Sequence, residues 1–194
     1  MRESIDRKYF TSSSVFLIIA SLNYAHDLQK PVIFVLQKLY FCEMMNEKSS
    51  IHTKILYNLG FSSYNIGITL LAIEYRIKYL SQTHTELVFW SLLASVFFLT
   101  LTMVIHGQDN KTNLKIHILF AIGWISMTTQ AMVILSIIYY PSMILYIMTA
   151  FIFLGYLIKY SNVEDKNNKT KSVIASKIII LLQLVIIYFI FLLK

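Results

Sequence analysis

His106 ends one apolar run and His117 opens the next, with Gly107, Gln108, Asp109 and Asn110 in the turn between them. Two imidazoles and a carboxylate at one turn have the donor types to hold a metal ion or to work as general acid and base. Their spacing follows no metal-ligand motif, and polar side chains normally end helices at such turns. We therefore assign no metal site and read His106, Asp109 and His117 as the catalytic candidates if the chain is an enzyme. A second polar group, Asn23, His26 and Asp27, ends the first apolar run and is read as helix termination, while His52 and His84 fall in charged, solvated stretches. The lone Cys42 excludes an internal disulfide and any multi-cysteine metal or iron–sulfur site. No G-x-S-x-G, H-E-x-x-H, Walker loop or dinucleotide fingerprint occurs, so nothing supports a hydrolase or a nucleotide-driven machine, and no cofactor can be named.

The elements that would carry these residues are apolar helices. Hydrophobic residues make up 57% of the 194-residue chain and charged residues 14%, the balance of a bilayer-embedded protein. Apolar runs bounded by charge predict helices near Phe10 to Leu28, Ile55 to Ile73, Leu87 to His106, Leu114 to Tyr140, Pro141 to Lys159 and Val173 to Leu193, of which the first is the shortest. The expected fold is all-α, a polytopic transmembrane bundle of six helices forming a single domain over 1–194. A membrane β-barrel would need apolar and polar residues in alternation, and Val173 to Leu193 is almost continuously apolar. The segment Pro31 to Met45 adds a seventh span only if it crosses. As a helix of about 15 residues it would rise only ~22 Å against a hydrocarbon core of ~30 Å, which favours an interfacial or re-entrant helix.

Tyr139, Tyr140, Pro141 and Ser142 predict a tight interfacial turn between the fourth and fifth spans, and the polar stretch Ser161 to Ser172 a solvated loop. Lysine and arginine bias the orientation. With six spans, ten basic residues lie in loops 27–54, 107–115 and 159–172, against six elsewhere outside the spans, which puts both termini outside. With seven spans the count is eleven against four, and the amino terminus moves inside. The sequons at Asn110 and Asn168 fall in inside loops, so neither is expected to be used. The net charge of +7 is spread over short loops rather than gathered into an aromatic-laced patch, so membrane lipids and not nucleic acid are the expected partners, with other membrane subunits the alternative.

Polar residues at helical spacing mark the faces expected to look inward. Asn58, Ser62, Asn65 and Thr69 form one stripe, with Gly60, Ser63 and Gly67 forming another on the same helix, expected to be the central one. Ser91, Ser95, Thr102 and His106 align on the next, and His117, Ala121, Trp124, Thr128 and Ala131 on the one after. The fifth offers Ser142, Tyr146, Thr149, Tyr156 and Tyr160, the last Ser172, Ser176 and Gln183. Small polar residues are ordinary packing at membrane helix contacts. The sharper reading makes Asn58, Asn65, Ser91, Ser95, Thr128 and Tyr146 the lining of a ligand cavity. No carboxylate falls at mid-helix in these spans, which argues against an ion-coupled transporter.

From Ile55 onward, Asn58-Leu59-Gly60-Phe61, then Asn65-Ile66-Gly67, then an acidic turn before His117 with Ala121 one turn later, the order of features resembles the DRAM/Frag-like membrane proteins and their bacterial relatives. The resemblance covers about the middle half of the chain. It implies six membrane helices and a role in lipid handling or trafficking, and it transfers no functional residue. Animal members of that group are understood to keep both termini in the cytosol, unlike the orientation favoured here. Three functions follow as expectations: a binder of lipid or a small hydrophobic molecule, a membrane enzyme using the His106 to His117 turn, and an accessory or immunity-type membrane subunit.

Overall fold

Long apolar runs free of internal proline satisfy their backbone best within themselves, and every regular element among the described residues is helical. The computed structural model describes residues 3–39, 41–80, 82–105, 111–139, 148, 151–152, 154–155, 158–159 and 166–192. The elements are α1 (Glu3–Asp27), α2 (Val32–Lys38), a 3-10 turn (Phe41–Met45), α3 (Ile51–Lys78), α4 (Thr83–Val104), α5 (Lys111–Tyr139) and α6 (Lys166–Leu192). In the expected fifth helix, the described residues 148, 151–152, 154–155 and 158–159 are helical. Among the described residues two stretches are long and apolar enough to cross a membrane, Thr83–Val104 and Lys115–Leu135.

Several boundaries differ from expectation. The first helix is not the shortest, because 25 residues from Glu3 are helical and its polar first turns extend the apolar run. Ser161 to Ser172 is not all loop: α6 begins at Lys166, since nothing between Lys166 and Ser172 breaks a helix. Pro31 to Met45 is not one helix. Its α-helical part, α2, has seven residues and a rise of about 10 Å, far short of a ~30 Å core.

The face of α3 that packs inward is the glycine and aromatic face: Tyr57, Gly60, Phe61, Tyr64, Gly67, Ile68 and Leu71 are buried. Asn58 and Ser62 are exposed instead, a correction to the expected polar interior stripe. Bulky rings on α3 claim the core, and the glycines let α1 come close. A Cβ at Gly60 would lie 2.8 Å from Leu17 Cγ, and one at Gly67 would lie 2.9 Å from the Phe10 ring. Gly123 of α5 is crowded in the same way by the Phe98 ring of α4, at 3.0 Å. Phe61 and Tyr64 each meet Trp124 of α5 edge to face, at 5.7 and 5.8 Å between centroids. Arg76 pairs with Glu86 at 3.0 Å and lies over the Phe89 ring, closing the α3–α4 turn.

The chain leaves α1 through Gln29, whose φ of 53° lies in the left-handed region. Lys30 N–H donates to Ala25 O and Gln29 N–H to His26 O, the hydrogen bonds that normally accompany glycine at this position. Gln29→Gly should raise stability by about 1 kcal/mol in a chemical unfolding titration, since glycine carries no Cβ penalty there. In the same assay Gly60→Val should lose about 1–3 kcal/mol through overpacking against Leu17. Gly155→Ala, whose Cβ meets nothing within 4 Å, should gain up to about 1 kcal/mol.

Candidate functional site

Of the residues singled out in the sequence, His117 is buried on α5, and its Nδ1 lies 2.7 Å from Ile105 O just past the end of α4. A carbonyl only accepts, so Nδ1 carries the proton and the ring ties the two helices together. His106, Asp109 and Tyr146 lie outside the described residues, as do Ser142, Thr149, Tyr156 and Tyr160. Ser91, Ser95 and Thr102 share the buried face of α4, as expected, and Trp124, Thr128 and Ala131 share that of α5. Ser91 and Thr128 spend their hydroxyls on Leu87 O and Trp124 O of their own helices. Asn65 donates to Thr100 Oγ1 across the α3–α4 contact at 3.2 Å. These contacts pack helices. Asn58 takes no part in the interior.

His117 also lines a small cavity of about 60 Å³ with Cys42, Tyr57, Thr102 and Ser176. That is well below the ~300–1,000 Å³ of small-molecule sites. Burial, with the Glu43 carboxylate beside it, pushes the Cys42 thiol up to about 12, so it stays neutral and unreactive. Among the described residues no group of three or more His, Cys, Asp or Glu could hold a metal ion.

Deeper in the bundle, Gln183 of α6 is 1% exposed and joins three helices. Its Nε2 donates to Ile125 O at 3.1 Å and Thr129 Oγ1 at 3.2 Å, and its Oε1 accepts from the Tyr64 hydroxyl at 3.4 Å. A buried amide is costly unless satisfied, so this one fixes the register of α6 against α3 and α5.

At one end of the bundle, Asp27 closes the path from α1 to α3. Its Oδ2 accepts from Ser50 N–H at 2.8 Å and from the Thr53 hydroxyl at 2.7 Å, while Ser50 Oγ caps α3 by accepting from Thr53 N–H. Asn46 Nδ2 donates to the Tyr24 hydroxyl beside it. Asp27 is thus more than a helix terminator: it holds two helix ends together. Tyr24, Asp27 and Asn46 border an open cavity of about 790 Å³ that also takes in Lys30, Glu43, Glu47 and Lys48.

On the other side of α2 lies a groove of about 250 Å³ between α1, α2 and α6. Leu17, Ile18 and Leu22 line it from α1, Val32 and Leu36 from α2, and Ile180 and Leu181 from α6. Ser14 and Ser21 also face it, but their hydroxyls donate to Phe10 O and Leu17 O, so they present no unmet polar group. Lys177 borders it too. Its Nζ donates to Val35 O at 2.7 Å and Leu36 O at 2.8 Å at the end of α2, and lies 5.2 Å from the Phe41 ring centroid. Glu43 is engaged by Lys169 at 2.7 Å. Sequence reasoning missed Lys177 by treating Val173 to Leu193 as one apolar run. The signal was present, because Lys177 is the only charged residue in that run.

No protein-family model, curated protein or solved structure matches the chain. The resemblance to the DRAM/Frag-like proteins therefore rests on the residues quoted for it alone.

Gln183→Leu would strand the Tyr64 and Thr129 hydroxyls in the interior and should cost about 1–3 kcal/mol of stability. Unfolding of the purified protein measures this directly, and an unchanged midpoint would mean that the three-helix network holds nothing together.

Proposed function

We propose that the chain is a multi-pass membrane protein that binds a lipid or a small hydrophobic molecule in the groove between α1, α2 and α6. Six crossings are proposed: α1, α3, α4, α5, the segment 141–159 and α6. α4 and α5 supply the two apolar stretches of membrane length. The outer faces of the long helices are apolar as well: Ile18 is 61% exposed, Phe97 60%, Leu119 64% and Leu181 61%. A soluble monomer rarely leaves large contiguous apolar surface uncovered. The shortness of α2 argues against a seventh crossing, and with six the lysine and arginine bias assigns the α2 end to the cytoplasmic side.

The observation that carries ligand binding is the groove itself, an apolar concavity whose only charged lining residue among the described residues is Lys177. Membrane-facing grooves of this character are filled by hydrocarbon, because a void between apolar walls forfeits dispersion contacts. A second reading, a subunit of a larger membrane complex, is favoured by Asn58 and Ser62, which face outward from a helix proposed to span. An asparagine turned to lipid is costly unless a neighbour accepts its hydrogen bonds.

Gentle purification from the native membrane, followed by mass spectrometry, tests both readings. A co-purified lipid enriched over bulk membrane, and depleted in Ser14→Trp, is the expected result. Lipid in no more than bulk proportion would remove the ligand reading, and a stoichiometric subunit lost in Asn58→Leu would establish the second.

A further inference from the structure

Resting on the groove reading, we infer that the bound molecule is a single-chain amphiphile with a monoanionic carboxylate head, a long-chain fatty acid, and that Lys177 pairs with that head. Among the described residues the groove offers an apolar bed for a chain and one cation at its border. Its volume of about 250 Å³ is just under the ~300 Å³ at which small-molecule sites begin, which suits part of one chain and not the pair carried by a bilayer phospholipid.

Lys177 supplies the complementarity of charge. Among the described residues no carboxylate lies within ion-pair distance of it, and the nearby Glu43 is taken by Lys169. Its direct partners are two backbone carbonyls and an aromatic face, which are dipoles and a quadrupole and not a counter-ion. An ammonium has three N–H donors, and the two carbonyls occupy two of them. The third is available to a carboxylate approaching along the groove beside the Phe41 ring. Ionisable residues within membrane helices are costly and mark pathways or counter-ions. One ammonium balances one negative charge, which favours a carboxylate over a phosphate monoester carrying about −1.5 to −2.

The same ammonium holds the end of α2, which forms one wall of the groove. A fatty-acid head would share Lys177 with Val35 O and Leu36 O, so ligand binding and the seating of α2 are coupled through one side chain.

The test uses the full chain in phosphatidylcholine nanodiscs, with hexadecanoate and hexadecan-1-ol each displacing a fluorescent fatty acid. The wild type should prefer the acid at least tenfold, Lys177→Arg should keep the preference, and Lys177→Met should bind acid and alcohol alike. Ser14→Trp should weaken both. Equal affinity of the wild type for acid and alcohol, or a preference that survives in Lys177→Met, would overturn the fatty-acid inference and leave hydrophobic binding intact. Failure of the wild type to bind either would overturn the groove reading with it. If Lys177→Met does not fold, the wild-type ratio of acid to alcohol decides the question alone.

Discussion

The approach of α1 to α3 at Gly60 and Gly67 is the constraint on which the remaining architecture depends. With no side chain at those two positions, Leu17 and Phe10 sit almost on the α3 backbone. The helices then come near enough for Tyr57, Phe61 and Tyr64 to point past α1 into the core, where Phe61 and Tyr64 meet Trp124. The aromatic cluster and the glycine contacts are two sides of one choice. Bulk removed from one flank of α3 is concentrated along the rest of its buried face, and Asn58 and Ser62 are left outside.

Packing at that density leaves little interior room. The cavity beside His117 is small, and the hydroxyls of Ser91, Thr102 and Thr128 turn back onto their own helices. Gln183 is the exception that reaches across three elements, and it is satisfied on both ends of its amide. Among the described residues a wider groove opens at the margin, where α2 leans on α1 and α6 without the close fit of the long helices. The groove is accordingly lined not by the polar stripes but by apolar side chains around the half-buried Lys177.

Much of the helical layout was legible because apolar runs longer than about 18 residues have few alternatives. Buried faces on α4, α5 and α6 were readable from Ser95, Trp124 and Gln183 at helical spacing. On α3 the glycine stripe of Gly60 and Gly67 was readable in the same way, whereas Asn58 and Ser62 were misjudged, since tyrosine and phenylalanine outweigh asparagine in the competition for a core and periodicity alone does not rank them. Lys177 escaped because a single charge barely changes the hydropathy of a long run. Its meaning comes from Val35 and Leu36, residues that no local pattern connects to it. Asp27 was read as a terminator for the same reason: Ser50 and Thr53 come beside it only when the intervening chain folds back.

The bond from Lys177 to the end of α2 also bears on the order of synthesis. Its two ends are separated by 142 residues, and Glu43 is 126 residues from its partner Lys169. During translation α2 and the turn after it emerge early, yet the side chains that anchor them belong to α6, made long after them. Until α6 is in place, α2 has carbonyls without their cation, and Glu43 has no Lys169. Contacts of such separation form slowly because a long loop must close before they are rewarded. The wall of the groove thus settles only once α6 has been made, and a nascent chain halted before α6 would lack the side chains that anchor that wall.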